Sequence, residues 1–312
     1  MLDLAIIIVS YNTRYLTGNC LSSVLAALDR SSLEAEIWVV DNASQDGSAE
    51  YVQKKFPQVK LIANDENIGF AAATNLALTH IGELSRPPRY VFLLNPDTLV
   101  EQDALSTLVE FLDTHPEVGV VGPQLAYANG TFQHSAFRFP TLLMTFFDFW
   151  PVHHRLLDSR LNGRYPRCRY ARGEPFPIDH PLGAALMVRW ETIQQAGPLD
   201  TGYFMYCEEV DWCMRIKALG WQVYCVPQAR ILHLAGQSTR QFRDKMFVAL
   251  WRSRFRLFRQ HYSHLYQTLA RLIVQAGVRR EIARTRQAQR RGEISAQEAS
   301  QRLAAFRQVL RM

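Results

Sequence analysis

The residues best suited to chemistry in this 312-residue sequence are carboxylates and one histidine near the ends of apolar runs. Asp97 stands in Leu94-Asn95-Pro96-Asp97, directly after the run Tyr90–Leu94, which reads as a short buried strand. A carboxylate at the carboxyl end of a strand lies where open α/β sheets bind ligands, and it can hold a divalent cation. Asp41 closes an earlier apolar run in the same way. Glu208 and Glu209 are adjacent, so one can take a proton from a hydroxyl while their repulsion raises one pKa. The aromatic run Tyr203-Phe204-Met205-Tyr206 before them suits stacking against a sugar. Each feature also has a plainer reading. Asn-Pro-Asp is a good turn, and Asp41 or Asn42 can make an Asx turn or cap a helix. The glutamates can be first-turn acids of a helix, and a lone His such as His233 is often structural.

Periodicity predicts the elements that must position these groups. Residues 4–10 form a continuous run rich in Ile and Val, as in a parallel strand buried on both faces. Tyr11-Asn12-Thr13 then opens a helix in which Leu16, Cys20, Val24 and Leu28 recur at helical spacing. Strands follow at residues 35–40, 59–63 and 90–94, with helices near 49–56, 69–80 and 104–114. This alternation predicts βαβ units and a parallel sheet over residues 1–120. Polar residues follow each strand: Ser10-Tyr11-Asn12, Asp41-Asn42, the stretch from Asn64 to Gly69, and Asn95-Pro96-Asp97. Side chains gathered there would form a ligand crevice. Residues 139–180 are rich in aromatics, Arg and Pro and read as an irregular, functional excursion. An apolar strand within 181–189, a helix through Ala218 closed by Gly220, and strands at 221–226 and 229–234 complete the pattern.

Composition narrows the function classes. A hydrophobic content of 48% with 21% charged residues describes a folded globular protein. Five scattered cysteines without a CxxC pair predict free thiols in a reducing compartment, and the Cys207/Cys213 spacing fits no usual zinc pattern. No basic leader precedes an apolar core, and no run reaches the ~20 residues of a spanning helix. A soluble or peripherally attached cytoplasmic protein is therefore expected. Residues 271–312 carry ten Arg against three Glu, a net of +7, while the rest of the chain nets −1. Such a tail suits a solvated or self-associating helix or an anionic membrane surface. Nucleic acid is disfavoured, because no recognition motif accompanies the charge. The absence of GxGxxG after the first strand argues against a dehydrogenase.

Five segments together resemble the inverting glycosyltransferases of family 2, particularly the rhamnosyltransferase-like branch of bacterial polysaccharide synthesis. They are Ile6-Ile7-Ile8-Val9-Ser10-Tyr11-Asn12, Val39-Val40-Asp41-Asn42-Ala43-Ser44, Asn67-Ile68-Gly69-Phe70 with Asn75, Leu94-Asn95-Pro96-Asp97, and Glu208-Glu209-Val210-Asp211-Trp212. A sixth, His233-Leu234-Ala235-Gly236-Gln237-Ser238, follows downstream. The resemblance implies a GT-A type fold: a Rossmann-like, mostly parallel α/β sheet with flanking helices, here with a helical carboxyl-terminal extension. It implies a catalytic domain over residues 1–240, with a nucleotide-binding half to 120 and an acceptor half beyond, and a basic helical extension over 241–312. Mg²⁺ or Mn²⁺ is the implied cofactor, held by Asp97 and His233. The family's Asp-x-Asp here reads Asn95-Pro96-Asp97, which leaves one carboxylate and weaker metal binding until the nucleotide adds oxygens. Ser10, Tyr11, Asn12, Asp41, Asn67, Gly69, Phe70, Asn75, Asn95 and Gly183 are the implied substrate-binding residues. Within that set Asp41 would meet the pyrimidine base, Gly69 would let the backbone approach the donor, and Phe70 can also be plain core. Glu209 takes the position of the catalytic base, with Glu208 beside it.

The implied partners are a dTDP- or UDP-linked sugar and a glycan or lipid-linked acceptor, with rhamnose the first candidate sugar. Two other readings remain. A catalytically silent scaffold of the same fold would explain Asn95. A nucleotidyltransferase would normally show a glycine-rich basic loop after the first strand, and Ser10-Tyr11-Asn12-Thr13-Arg14 contains no glycine.

Overall fold

The computed structural model describes residues 2–150, 153–234 and 243–312, without the side chain of Arg243. The downstream part of the sixth segment, from Ala235 onward, lies outside the described residues. The chain divides into two compact units. The first holds residues 2–138, 167–204 and 208–234; the second holds 139–150, 153–166, 205–207 and 243–312.

The first unit alternates strands and helices as its periodicity predicts. In order come β1 (Leu4–Ser10), α1 (Arg14–Leu28), β2 (Ala35–Asp41), α2 (Ser48–Lys55), β3 (Lys60–Ala63), α3 (Phe70–Gly82), β4 (Tyr90–Leu94), β5 (Thr98–Val100), α4 (Ala104–Thr114) and β6 (Val118–Ala126). Every residue of β1 and β4 is buried, which explains their almost wholly apolar composition. β3, β2, β1 and β4 lie side by side and parallel. Register pairs Ser10 with Asp41 and Ile8 with Leu94, so the polar residues after the strands collect along one sheet edge.

The sheet then changes direction. The short β7 (Phe132–Gln133) and β8 (Ala136–Phe137) follow β6. The second unit's α5 (Leu142–Phe147) and α6 (His154–Leu157) come next, then α7 (Arg167–Ala171), β9 (Phe176–Pro177), β10 (His180–Pro181) and β11 (Ala185–Arg189). β11 runs antiparallel between β4 and β6. After α8 (Trp190–Ala196) and α9 (Glu208–Ala218), the long β12 (Gln222–His233) pairs parallel with β6 and antiparallel with β5. The sheet is thus mostly parallel on one side and mixed on the other, with helices flanking it: an α/β fold of GT-A type.

Three details depart from the sequence reading. β6 escapes a pattern reading because Gly119, Gly122 and Pro123 interrupt its apolar run, yet it is almost wholly buried. β5 has only three residues, too few to show a period. Residues 221–226 and 229–234 do not form two strands; β12 is continuous and absorbs Pro227 and Gln228 in a register shift between Val226 and Arg230.

The second unit is helical: α5 and α6 with α10 (Arg243–His261), α11 (His264–Arg290) and α12 (Ala296–Leu310). Its core gathers Phe149, Trp251, Phe255, Phe258, Val274, Val278 and Val309. Phe149 stacks on Trp251 with centroids 5.1 Å apart. Gly277 allows Phe149 to pack directly on α11, since a Cβ there would lie 2.1 Å from the ring. Along α10, Phe247, Trp251, Phe255 and Phe258 recur at helical spacing, and this aromatic stripe packs into the core. Trp251 and Phe258 are each 1% exposed, which removes the stripe as a surface for anything else.

Candidate active site

The turn after β4 is stapled so that Asp97 faces inward. The Asn95 carbonyl accepts from Thr98 Oγ1 (2.7 Å) and Cys20 Sγ (3.6 Å), and the Asn95 N–H donates to the Ala184 carbonyl (2.9 Å). Asp97 is buried, and its Oδ1 has no hydrogen-bond partner. His233, at the end of β12, brings Nε2 to 3.5 Å from that oxygen, beyond a good hydrogen bond. A buried carboxylate oxygen that lacks a donor and faces an imidazole nitrogen fits a divalent cation. Among the described residues no group of three or more His, Cys, Asp or Glu gathers to hold a metal. A cation bound by Asp97 and His233 would need oxygens from its ligand, such as a diphosphate.

The same contacts lead toward the glutamates. Asn95 holds Ala184, and Gly183 lies against Glu209: a Cβ on Gly183 would stand 3.2 Å from the Glu209 carboxyl carbon. Asn95, Gly183 and Glu209 therefore lie along one wall. Glu208 and Glu209 open α9, which the other half of their motif anchors. Trp212 Nε1 donates to the Gly197 carbonyl (2.8 Å), and Arg215 pairs with Asp211 (2.9 Å) while donating to the Ala196 and Pro198 carbonyls. The loop so gripped is held from the other side by Asn75, whose amide donates to the Leu199 carbonyl (2.7 Å) and accepts from the Leu199 N–H (3.0 Å).

The two glutamates differ in environment. Glu208 is buried, while Glu209 is partly exposed. Burial, reinforced by the charge of Glu209, pushes the Glu208 carboxyl well above the usual carboxylate range. Folded Glu208 keeps its proton at a pH where the unfolded chain, near pH 4.3, has released it. Its effect on stability is thus unfavourable and grows as pH rises from about 4.3 toward the raised folded value, by at most ~1.4 kcal/mol per pH unit. Glu208→Gln is expected to gain thermal stability relative to wild type at pH 8, with the difference shrinking toward pH 4.5. Paired melting scans across this range check it, and a difference independent of pH contradicts the assignment.

At the β1 and β2 ends the polar residues tie the loops together. Asp41 is buried; its Oδ1 accepts from the Ser44 N–H (2.8 Å), an Asx turn, while Oδ2 has no partner. Asn12 adopts φ 53°, donates its N–H to Ser44 Oγ (2.8 Å) and accepts from the Gln45 N–H (2.7 Å). Asn67 Oδ1 accepts from the Gly69 N–H (3.0 Å), and Tyr11 is 38% exposed beside them.

Four of the residues proposed to bind substrate also have structural partners. Ser10 is fully buried, its hydroxyl shared with Thr13 and Thr17 at 3.1 Å each, so it braces α1. Asn75 spends both ends of its amide on Leu199, so it positions a loop. Gly69, at φ +85°, is required by Phe204, because a Cβ there would lie 2.5 Å from the Phe204 carbonyl oxygen. Phe70 donates its N–H to the same carbonyl (2.8 Å) and starts α3. Asn42, named in the sequence without a role of its own, and Gln133, missed there, both lie near the site. Asn42 bridges Asn64 and the Gly69 carbonyl. Gln133 meets His233 Nδ1 at 3.1 Å. The Asn129-Gly130 turn, with Gly130 at φ 77°, signals the β6–β7 hairpin that carries Gln133.

Comparisons with known proteins agree with this architecture. The family model described as "Glycosyl transferase family 2" matches residues 5–178. The "N-acetylglucosaminyl-diphospho-decaprenol L-rhamnosyltransferase" of Mycobacterium tuberculosis H37Rv is 27% identical over 237 residues, covering 72% of this chain and 75% of that protein. The "Rhamnosyltransferase WbbL" of Escherichia coli K12 is 26% identical over 191 residues, 60% and 69% of the two chains. Among solved structures, the mannosyltransferase PcManGT of Pyrobaculum calidifontis, in complex with GDP-Man and Mn²⁺, superposes with a TM-score of 0.56. The match covers 98% of this chain and 85% of that one at 15% identity, a likeness of fold.

Proposed function

The chain belongs to glycosyl transferase family 2, and on that premise we propose that it moves a sugar, with inversion, from a nucleoside diphosphate donor to a glycan or lipid-linked glycan. The setting is cell-surface polysaccharide synthesis. The relatives named rhamnosyltransferases make L-rhamnose the first sugar to test, from dTDP or UDP. The observation that carries the reading is the wall running from Asp97 through Asn95 and Gly183 to Glu209, a cation ligand at one end and a partly exposed carboxylate at the other.

In this mechanism the unpartnered Asp41 Oδ2 accepts from the N3–H of uracil or thymine, a donor that cytosine lacks. Asp97 and His233 would hold Mg²⁺ or Mn²⁺, whose charge would neutralise the leaving diphosphate. Tyr11, Asn12 and Asn67 line the donor end. Glu209 Oε takes the acceptor hydroxyl's proton as its oxygen attacks the anomeric carbon in line. The raised carboxyl of Glu208 and the partial exposure of Glu209 both favour Glu209 as the acceptor of that proton. A panel of dTDP-, UDP- and GDP-sugars, each with Mn²⁺ or EDTA, tests the reading by mass spectrometry of products. Metal-dependent transfer or hydrolysis of one donor is expected; no turnover of any donor favours the scaffold alternative that Asn95 raises.

The helical unit supplies a peripheral contact with an anionic membrane, where lipid-linked acceptors reside. No helix among the described residues is long and apolar enough to cross a membrane. On α11, Leu265, Leu269 and Leu272 are 70%, 38% and 56% exposed, and the same 4–3 spacing continues through Ala276 to exposed Arg279, Arg286 and Arg290. Self-pairing along this line would set Arg against Arg, or Leu against Arg. A lipid surface accepts leucines among acyl chains and arginines at phosphates. Cutting the chain near residue 275 would remove Val278 and Val309 from the core, so point variants are the proper test. Changing Arg279, Arg286 and Arg290 to Gln is expected to weaken co-sedimentation with anionic vesicles roughly 10²-fold, at about 1 kcal/mol per Arg. Unchanged pelleting removes this line from the contact.

A further inference from the structure

Gln133 is a buried amide whose geometry the proposed transfer chemistry does not use. It lies on β7, paired with Leu125 of β6, and is 8% exposed. Its Nε2 meets His233 Nδ1 at 3.1 Å, whereas its Oε1 is buried with no hydrogen-bond partner. An amide nitrogen donating to Nδ1 requires Nδ1 to carry a lone pair, which places the neutral ring's proton on Nε2. That is the nitrogen 3.5 Å from Asp97 Oδ1.

A cation shared by Asp97 and His233 demands the other tautomer, with the Nε2 lone pair free and the proton on Nδ1. A half-turn of the Gln133 amide brings Oε1 to Nδ1 as an acceptor and gives that buried oxygen its missing partner. Metal-ligating histidines ordinarily donate their second N–H to such an acceptor, which fixes the ring and its tautomer. We propose that Gln133 is the positioning residue of the cation site, its amide accepting from His233 Nδ1–H so that Nε2 is presented as a ligand beside Asp97. The proposal rests on His233 being a ligand, and it adds a residue that touches neither cation nor substrate.

The test is Mn²⁺ binding to the full-length protein, followed by electron paramagnetic resonance with and without UDP. Gln133→Met keeps length and apolar packing but removes the strong acceptor, and should weaken Mn²⁺ by roughly 10–100-fold, the usual cost of losing such a partner. Gln133→Glu, which can only accept when ionised, should restore affinity to wild type or better. His233→Ala serves as the reference. If His233→Ala weakens Mn²⁺ but Gln133→Met does not, the positioning role is overturned and ligation by His233 stands. If His233→Ala leaves Mn²⁺ affinity unchanged, ligation itself fails, and this inference with it. Imidazole ¹⁵N shifts of His233 in wild type with Mg²⁺ and UDP give a readout independent of any variant's folding. They should report the Nδ1–H tautomer, and a proton retained on Nε2 overturns the proposal.

Discussion

Replacing Glu209 with Gln is expected to lower transfer by roughly 10²–10⁴-fold while leaving donor binding near wild type. The amide keeps the shape of the side chain against Gly183 but cannot take the acceptor's proton. The assignment to Glu209 rests on environment. Both glutamates open α9, yet Glu208 is buried, and burial with its neighbour's charge pushes its carboxyl well above the usual range, so it holds its own proton more tightly than an ordinary glutamate. Glu209 is partly exposed and lies on the wall that Gly183 and Asn95 extend toward Asp97. Steady-state kinetics with the preferred donor, beside calorimetric titration of that nucleotide, separates the terms: kcat should fall with the nucleotide Kd unchanged. If Glu208→Gln proves the damaging change and Glu209→Gln mild, the two roles exchange.

The parallel half of the sheet was legible in the sequence because burial on both faces makes β1 and β4 almost wholly apolar, and because each strand ends in polar residues. What those polar residues do was far less legible. Ser10, Asn12, Asp41, Asn67 and Asn75 are all good ligands for a sugar nucleotide, but a loop edge that must be rigid needs the same groups for itself. Ser10 and Asn75 are consumed in that way, whereas Asp41 serves a turn with one oxygen and keeps the other without a partner. Type alone cannot separate these outcomes; only the partner count does. The apolar stripe of α10 shows the same ambiguity. Helical spacing states that one face is buried, not what buries it, and the answer is Phe149 and the carboxyl-terminal helices. Gln133 could not be read at all, since its meaning depends on a histidine one hundred residues away.

Asp97→Ala is expected to abolish detectable transfer while the protein remains folded. Asp97 Oδ1 is buried without a donor, a position that costs stability unless a ligand satisfies it. Removing the side chain should therefore leave the melting temperature unchanged or raised without metal, the opposite of what a structural carboxylate would do. With Mn²⁺ and UDP the order should reverse: wild type should gain stability by ligand linkage and Asp97→Ala should not. Asn95 sharpens the expectation, because no second carboxylate stands at that turn to replace the lost one. Asp97→Asn is the stricter comparison, retaining an oxygen ligand without the charge, and should fall between the two in Mn²⁺ affinity. Wild-type turnover by Asp97→Ala at limiting Mn²⁺ would place the cation elsewhere, and a large loss of stability without metal would make Asp97 a structural residue of the β4 turn.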